Sequence, residues 1–363
     1  MKDSHPIFRP LKVSAERQLA SRLFLAPINT GFAIGGLPTD DLRRFYVDRS
    51  SPANGITMIG NVATSPHLAS NASTAVLSVQ SFNRFRDIAR EIDATGGAPG
   101  IQLAEAPRSL APKRSWRVKH KDDELARLKG IVADLDAREI SEAICNFIEA
   151  AARATEAEFQ VIQIHAAHGY LLSLLLNACT NERRDTFEMQ GDWLAEFVTA
   201  LRSTIGDKIL LSFRINAYAG IQAPMVELHE AIELARRLAG CGVDLIDLSA
   251  GFYTFDRNLI YPCGKTSPAL PYYDAATAVA GSIATVVAFA GNVRDVRLLP
   301  DPLPTNIMVG AARAFIADPE FAIKSAEGRF DEIIACSRCN QCHYFTRGKI
   351  HIECGVNPNL PQK

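Results

Sequence analysis

Eight short apolar runs, many of them rich in β-branched residues, recur along this 363-residue chain, and longer stretches of helical periodicity separate most of them. A run that is apolar at every position suits a parallel strand buried on both faces, whereas a half-exposed strand alternates. The predicted strands span residues 23–27, 56–62, 100–103, 159–165, 209–215, 243–249, 285–290 and 306–309.

The helical stretches complete the pattern. A helix over residues 40–49 is predicted to begin behind Thr39 as N-cap, and the others span 137–154, 192–205 and 225–239, the last ending at Gly240. Eight β–α alternations in roughly 300 residues predict an α/β fold, a (β/α)8 TIM barrel. A doubly wound sheet is the alternative, but no GxGxxG sequence follows the first strand.

Composition narrows the class of protein. A net charge of −1 gives no sign of a nucleic-acid or anionic-membrane partner. The N-terminus lacks a signal-peptide core, and no apolar run reaches the roughly 18 residues of a membrane span. We therefore expect a soluble, cytoplasmic protein. One basic stretch, residues 108–121, carries six Lys or Arg and no acid, which suits either a phosphorylated substrate or a solvated loop.

Four cysteines near the C-terminus are separated by gaps of two, two and eleven residues: Cys336, Cys339, Cys342 and Cys354. Three thiolates on one tight loop and a fourth close behind can hold either a [4Fe-4S] cluster or a zinc ion. The remaining cysteines are scattered singly, which suits a reducing compartment better than a disulfide scaffold: Cys145, Cys179, Cys241 and Cys263.

The fourth predicted strand ends in HAAHGY, which contains His165, His168 and Tyr170. In a TIM barrel the reacting groups lie at the carboxyl ends of the strands. Two histidines three residues apart can aim ring N–H groups at one acceptor oxygen, and the tyrosine hydroxyl adds a weak acid. Such a set would polarise a carbonyl group and protonate the neighbouring carbon. The alternatives are a buried strand end without chemistry, and a metal site that lacks a convincing third ligand.

Several segments together resemble one family. The most specific are residues 164–171 around HAAHGY, the NERRD loop at 181–185, and the cysteine segment at 336–358. Supporting matches lie at residues 8–11, 22–27, 36–39, 151–154 and 314–319. The chain resembles the Old Yellow Enzyme and 2,4-dienoyl-CoA reductase family of flavin oxidoreductases over nearly its whole length. The cysteine segment resembles the iron–sulfur branch of that family.

The resemblance implies FMN at the mouth of the barrel and NAD(P)H as reductant. By resemblance, the residues around the flavin ring and its phosphate are Pro27, Ile28, Asn29, Gln102, Arg214, Gly291, Asn292, Gly310 and Arg313. His165 and His168 would bind the carbonyl oxygen of an α,β-unsaturated substrate, and Tyr170 would protonate its α-carbon after hydride reaches the β-carbon. The four cysteines would hold a [4Fe-4S] cluster, with zinc as the alternative.

The resemblance also implies an organisation and leaves alternatives. Residues 1–330 would form the FMN-binding barrel, and residues 331–363 a cysteine-rich appendage docked on it, without a second flavin domain. An electron-transfer protein and a further copy of the chain are potential partners.

The sequence departs from the family pattern at two places near the site. Glu105 stands where the family has histidine, and Phe187 begins the segment where the family has Tyr-Gly-Gly. These departures leave open a degenerate barrel stabilised by zinc. A dehydrogenase or desaturase running in reverse also stays open, because the same catalytic groups can serve desaturation. A flavin barrel acting on tRNA is disfavoured by the near-neutral charge.

Overall fold

The computed structural model describes residues 5–14, 17–106, 120–262 and 267–360. Within these residues eight parallel strands close into a barrel, in which each strand pairs with its neighbours in the chain and the eighth pairs with the first. The TIM-barrel prediction is confirmed, and every predicted strand end lies within three residues of the observed one. The strands are β1 (Leu23–Ile28), β2 (Ile56–Ala63), β3 (Ala98–Ala104), β4 (Val161–Ala166), β5 (Leu210–Tyr218), β6 (Leu245–Ala250), β7 (Val286–Ala290) and β8 (Ile307–Ala311).

Helices connect the strands on the outside of the barrel. In the described part of the chain they are α1 (Asp40–Val47), α2 (Phe82–Ala94), α3 (Lys121–Asp134), α4 (Ala137–Glu156), α5 (Leu171–Leu175), α6 (Trp193–Ile205), α7 (Pro224–Gly240), α8 (Arg257–Ile260), α9 (Tyr273–Ala280), α10 (Arg313–Ala317) and α11 (Phe321–Ala326). None of these helices is long and apolar enough to cross a lipid bilayer.

The ends of the helices follow local chemistry. The Thr39 side chain accepts from the backbone N–H of Leu42, as the predicted N-cap requires. Helix α7 ends at Gly240, as predicted, and the turn with positive φ that follows it falls on Gly242, with φ of +93°. A glycine near a helix end marks the turn only where its backbone takes the positive φ.

The barrel interior divides into an apolar floor and a polar upper layer. Along β4 the inward positions run from Val161 through Gln163 to His165, while Ile162 and Ile164 pack outward against the helices. Leu11 and Leu19 join the apolar floor from a small two-stranded sheet, Leu11–Lys12 with Gln18–Leu19. The floor therefore closes the amino end, and polar side chains collect at the carboxyl end.

The C-terminal segment packs against the barrel. The N–H of Ile352 donates to the carbonyl of Thr30 at 2.8 Å, and the amide of Asn357 donates to the carbonyl of Ile316 at 2.8 Å. Ile352 is fully buried in the main core cluster. Whether residues 331–363 form a separate unit stays a prediction. Most of the basic stretch 108–121, and Cys263, lie outside the described residues.

Candidate active site

A cavity of about 220 Å³ opens at the carboxyl ends of the strands. Because parallel strands of a barrel all end on one face, residues far apart in the chain meet there. The cavity is lined by every catalytic and cofactor-binding residue predicted from the sequence: Pro27, Ile28, Asn29, Gln102, His165, His168, Tyr170, Arg214, Gly291, Asn292, Gly310 and Arg313. Of the four clustered cysteines, Cys342 alone is among its lining residues.

The rings of His165, His168 and Tyr170 form one buried group. The His165 ring lies edge-on to both others, with centroid distances of 4.9 Å to His168 and 5.1 Å to Tyr170. All three residues are less than a tenth exposed. Within the described residues, Nδ1 of His165 is buried and has no hydrogen-bond partner. This nitrogen is therefore available to bond a ligand or a water molecule in the cavity.

The backbone turn after β4 aims His168 at the cavity. His168 has φ of +67° and Gly169 has φ of +78°, so two consecutive residues lie in the left-handed region. The N–H of His168 donates to the side-chain oxygen of Asn216 at 3.2 Å, which fixes the turn. Its Nε2 lies 2.7 Å from the hydroxyl of Ser249, so a strand-end residue of β6 orients the ring.

Electrostatics hold these three groups in defined protonation states. Burial, reinforced by the Arg214 cation, keeps the pKa of His165 and of His168 well below the usual value for histidine. Burial, with a further contribution from Tyr253, keeps the pKa of Tyr170 well above its usual value. At neutral pH the site therefore holds two neutral imidazoles and an un-ionised phenol.

Polar side chains on four neighbouring strands form a chain beneath the cavity. The amide of Gln102 donates to Gln163 at 2.7 Å, and Gln163 donates to the carboxylate of Asp247 at 3.2 Å. Asp247 forms a 3.3 Å ion pair with Arg214, whose other terminal nitrogen donates to Ser249 at 3.2 Å. This chain connects Gln102 on one side of the cavity floor to the residues that orient His168 on the other.

Arg313 and Asn292 mark the opposite end of the cavity. One Arg313 nitrogen donates to the carbonyl of Pro262 at 2.9 Å, whereas Nη1 is buried and finds no partner in the described part of the chain. A side chain at Gly310 would come within 2.5 Å of the Phe24 ring. The backbone at Gly310 is therefore held close to the strand beside it, and the Arg313 cation is available to an anion.

The residues present fit a bound FMN. Arg214 Nε, Arg313 Nη1 and His165 Nδ1 are buried polar atoms on lining residues, and each lacks a partner among the described residues. Two cations at separate places suit the ring and the phosphate of a flavin nucleotide. Asn29 differs from expectation in one respect. Its side-chain oxygen accepts from Tyr344 and its nitrogen donates to Thr74, so protein groups already engage both polar atoms.

Sequence reasoning missed an aromatic group that lines the cavity. Tyr253 shares a hydrogen bond with Tyr170, and its hydroxyl lies 2.5 Å from that of Tyr261. The Tyr261 ring lies 3.9 Å from the His343 ring, which belongs to the C-terminal segment. The segment from Tyr253 to Tyr261 follows β6. Its position after the carboxyl end of a barrel strand was the one feature of the sequence that could have indicated a place in the site.

The four clustered cysteines are free thiols, and none forms a disulfide. Burial first, and then the neighbouring cysteine thiols, raise the pKa of Cys342 to about 12. Across the described residues, no group of three or more His, Cys, Asp or Glu side chains is arranged to hold a metal ion. The thiols therefore share one neighbourhood without forming a ready-made site, and the metal centre stays a prediction.

Comparison with known proteins establishes the family. The family model described as NADH:flavin oxidoreductase / NADH oxidase matches residues 6–332, and the chain belongs to this family. It is 26% identical over 356 residues to an NADH oxidase of Thermoanaerobacter brockii, which covers 94% of this chain and 54% of that protein. The chain thus spans about half the length of that relative.

Two further similarities extend over most of the other protein as well as most of this chain. An NADPH dehydrogenase of Bacillus velezensis is 26% identical over 295 residues, covering 79% of this chain and 84% of that protein. The crystal structure of Old Yellow Enzyme from Pichia sp. superimposes with a TM-score of 0.68 at 16% identity, covering 90% of this chain and 87% of that one. Membership of the predicted NADH:flavin oxidoreductase family is confirmed, and the similarity to Old Yellow Enzyme is one of fold. The reaction that this chain catalyses is taken up below. The iron–sulfur branch stays a prediction.

Proposed function

We propose that the protein is an FMN-dependent ene-reductase acting on an α,β-unsaturated carbonyl compound, with NAD(P)H as reductant. The observation that carries the proposal is the buried group of His165, His168 and Tyr170 in the cavity that Arg214 and Arg313 also line. The chemistry that bound FMN contributes is hydride exchange between NAD(P)H and the β-carbon of the substrate.

The two histidines would bind the carbonyl oxygen. Because the pKa of each is lowered by burial, each imidazole is neutral at pH 7 and donates through a single ring N–H. The carbonyl oxygen gains negative charge as hydride reaches the β-carbon. Donors fixed in a buried site stabilise that charge without having to reorganise.

Tyr170 would deliver the proton to the α-carbon. Its raised pKa keeps the phenol protonated before the reaction, and its ring stands beside His165 on the same side of the cavity. The O–H bond of Tyr170 breaks as the α C–H bond forms, and solvent restores the proton. Tyr253, which also lines the cavity, is hydrogen-bonded to Tyr170 and to Tyr261.

The cofactor residues follow from their positions. Arg214 would face the part of the ring that becomes negative on reduction, and Gln102 would bond its pyrimidine edge. Arg313 and Asn292, with the backbone at Gly291 and Gly310, would hold the phosphate. Pro27, Ile28 and Asn29 would line the ring from the end of β1.

The test separates the two half-reactions by stopped-flow absorbance. Tyr170→Phe should leave reduction by NAD(P)H unchanged and slow reoxidation by an enone roughly 100- to 10,000-fold. Tyr273→Phe, on helix α9 outside the cavity, is the matched control and should behave like the wild type.

Three outcomes would contradict the proposal. Unchanged reoxidation in Tyr170→Phe would show that Tyr170 is not the proton donor. Faster turnover with the saturated compound than with the enone would establish the desaturase direction. Colourless protein that gives no calorimetric heat with FMN would establish a degenerate barrel.

We also propose that Cys336, Cys339, Cys342 and Cys354 bind a [4Fe-4S] cluster as a unit, receiving electrons from a partner protein in a reducing, cytoplasmic compartment. The proposal is supported by their spacing and by their four free thiols in one neighbourhood. Anaerobically prepared protein should contain about four iron atoms per chain, and Cys342→Ser should lose them while Cys145→Ser keeps them. One zinc atom per chain would establish the zinc site in place of the cluster. Protein that contains neither iron nor zinc would refute both kinds of metal site.

A further inference from the structure

Asp247 lies in the middle of β6 and is fully buried beneath the cavity. It is a carboxylic acid in an otherwise apolar run, Leu245 to Leu248. One of its oxygens forms the 3.3 Å ion pair with Arg214, and the other has no partner among the described residues. An ionised carboxylate is costly to bury unless a cation compensates it. Arg214 is the side chain that makes this compensation.

The strand register brings Asp247 and Arg214 together. The two residues are direct partners in the β5–β6 ladder, and Arg214 is also the direct partner of His165 in the β4–β5 ladder. Arg214 lines the cavity, whereas Asp247 lies below it. The carboxyl group therefore lies on the far side of the guanidinium from the cavity. Burial raises the pKa of Asp247, and the Arg214 cation and the Gln163 hydrogen bond oppose that rise. In its ionised form the carboxylate cancels part of the positive charge that a bound ligand meets.

We propose that Asp247 is a positioning residue that fixes Arg214 and, by cancelling part of its charge, lowers the reduction potential of the flavin. The inference rests on the proposed function, since it concerns the flavin cavity. The physical reason is that reduction adds negative charge to the ring, and the net positive charge beside the ring sets how strongly that change is favoured. Asp247 touches no reacting atom and acts through Arg214.

The first test replaces the charge and keeps the shape. Asp247→Asn should raise the ratio of reduced to oxidised flavin at a fixed potential at least tenfold, about 30 mV for a two-electron couple, measured by equilibration with redox dyes. Asp244→Asn is the matched control. Asp244 pairs with Arg202 at 2.5 Å just before the same strand, outside the cavity lining, and its variant should keep the wild-type potential. An unchanged potential in folded, flavin-loaded Asp247→Asn would overturn the proposal.

The second test shows whether Asp247 acts through Arg214. In an Arg214→Gln background the buried carboxyl has lost its counter-ion and takes up a proton, so adding Asp247→Asn should change the potential less than twofold in ratio. A tenfold effect in that background would overturn the proposal. In flavin-free protein, thermal unfolding should show that the neutral double variant is more stable than Asp247→Asn alone, because the single variant leaves a buried cation unpaired.

The outcomes separate this inference from the proposed function. Wild-type protein that binds no FMN would refute the proposed function, and the role of Asp247 with it. Wild-type protein that binds FMN, with a potential unmoved by Asp247→Asn, would refute the role of Asp247 alone. If Asp247→Asn does not fold, the charge-neutral double variant is compared with Arg214→Gln, and equal potentials support the proposal while a tenfold difference overturns it.

Discussion

The hydroxyl of Tyr344 donates a 3.0 Å hydrogen bond to the side-chain oxygen of Asn29. Tyr344 belongs to the C-terminal cysteine segment, and Asn29 follows the first strand of the barrel. Both residues line the cavity, together with Asn71, whose amide donates to the Tyr344 hydroxyl at 3.2 Å. The cysteine segment is thus joined directly to the wall of the candidate flavin site.

We expect Tyr344→Phe to weaken this junction. Loss of one buried hydroxyl with two amide partners should lower the free energy of unfolding by about 1–2 kcal/mol. Hydrogen exchange should rise in residues 340–352 and stay unchanged in the helices on the far side of the barrel. The control is Tyr273→Phe, which leaves this junction intact and should show neither effect. Equal exchange in both variants would mean that the hydrogen bond does not hold the segment.

Gly31 sets how closely the segment approaches the barrel. It has φ of +74°, and a Cβ atom there would lie 2.3 Å from the carbonyl oxygen of Ile350. Gly35 has φ of +57°, but nothing lies within 4 Å of its Cβ position. Gly35→Ala should therefore cost about 1 kcal/mol of unfolding free energy from backbone strain alone. Gly31→Ala should cost several kcal/mol more in denaturant unfolding, because backbone must move. Similar costs at both positions would contradict this close approach.

Much of the fold was predictable because its signal is local. Runs that are apolar throughout, as at β7 and β8, or interrupted by single polar residues, as at β4 and β6, identified strands buried on both faces. Helix caps such as Thr39 lie within a few residues of the groups that they cap. The cavity followed from topology, since parallel barrel strands end on one face. That rule gathered His165, Arg214 and Arg313 without any knowledge of their contacts.

Other features of the site could not be predicted, because they depend on the register between strands and on contacts between distant segments. The role of Asp247 was not predicted, because a single acidic residue within an apolar strand gives no indication of its partner. Its pairing with Arg214 exists only once β5 and β6 are in register. Tyr344 and Asn29 are more than 300 residues apart in the chain. Hydrophobic periodicity is a local pattern and cannot predict such a contact. The geometry of the four cysteines, likewise, depends on a segment without strands or α-helices among its described residues.

The two histidines should differ from Tyr170 in their kinetics. His165→Ala and His168→Ala each remove a donor to the carbonyl oxygen, so kcat should fall roughly 100- to 1,000-fold, and KM for the enone should rise. His168→Asn retains an N–H donor and should recover part of kcat. Steady-state rates measured over a range of enone concentrations give both constants. Full activity in His168→Ala would show that Ser249 orients a ring with no part in binding the substrate.

Glu105 should make stability depend on pH. This residue stands where the resembled family has histidine, is almost fully buried at the end of β3, and accepts from the Thr64 hydroxyl at 2.8 Å. Burial raises its pKa to about 8, against the opposing effect of the Thr64 hydrogen bond. The folded state therefore keeps a proton that the unfolded chain releases near its ordinary pKa of about 4.3. Stability is highest below that lower pKa and falls as pH rises towards 8.

Glu105→Gln should remove this dependence. Glutamine keeps the shape and carries no proton to lose, so the variant and the wild type should have similar unfolding free energies near pH 4. By pH 9 the variant should be the more stable by a few kcal/mol, the upper limit being about 5 kcal/mol from the shift between the two states. Urea unfolding followed by circular dichroism from pH 4 to pH 9 measures the difference. The exposed Glu156→Gln should reproduce the wild-type slope, and a Glu105→Gln slope equal to it would mean that Glu105 is ionised in the folded protein.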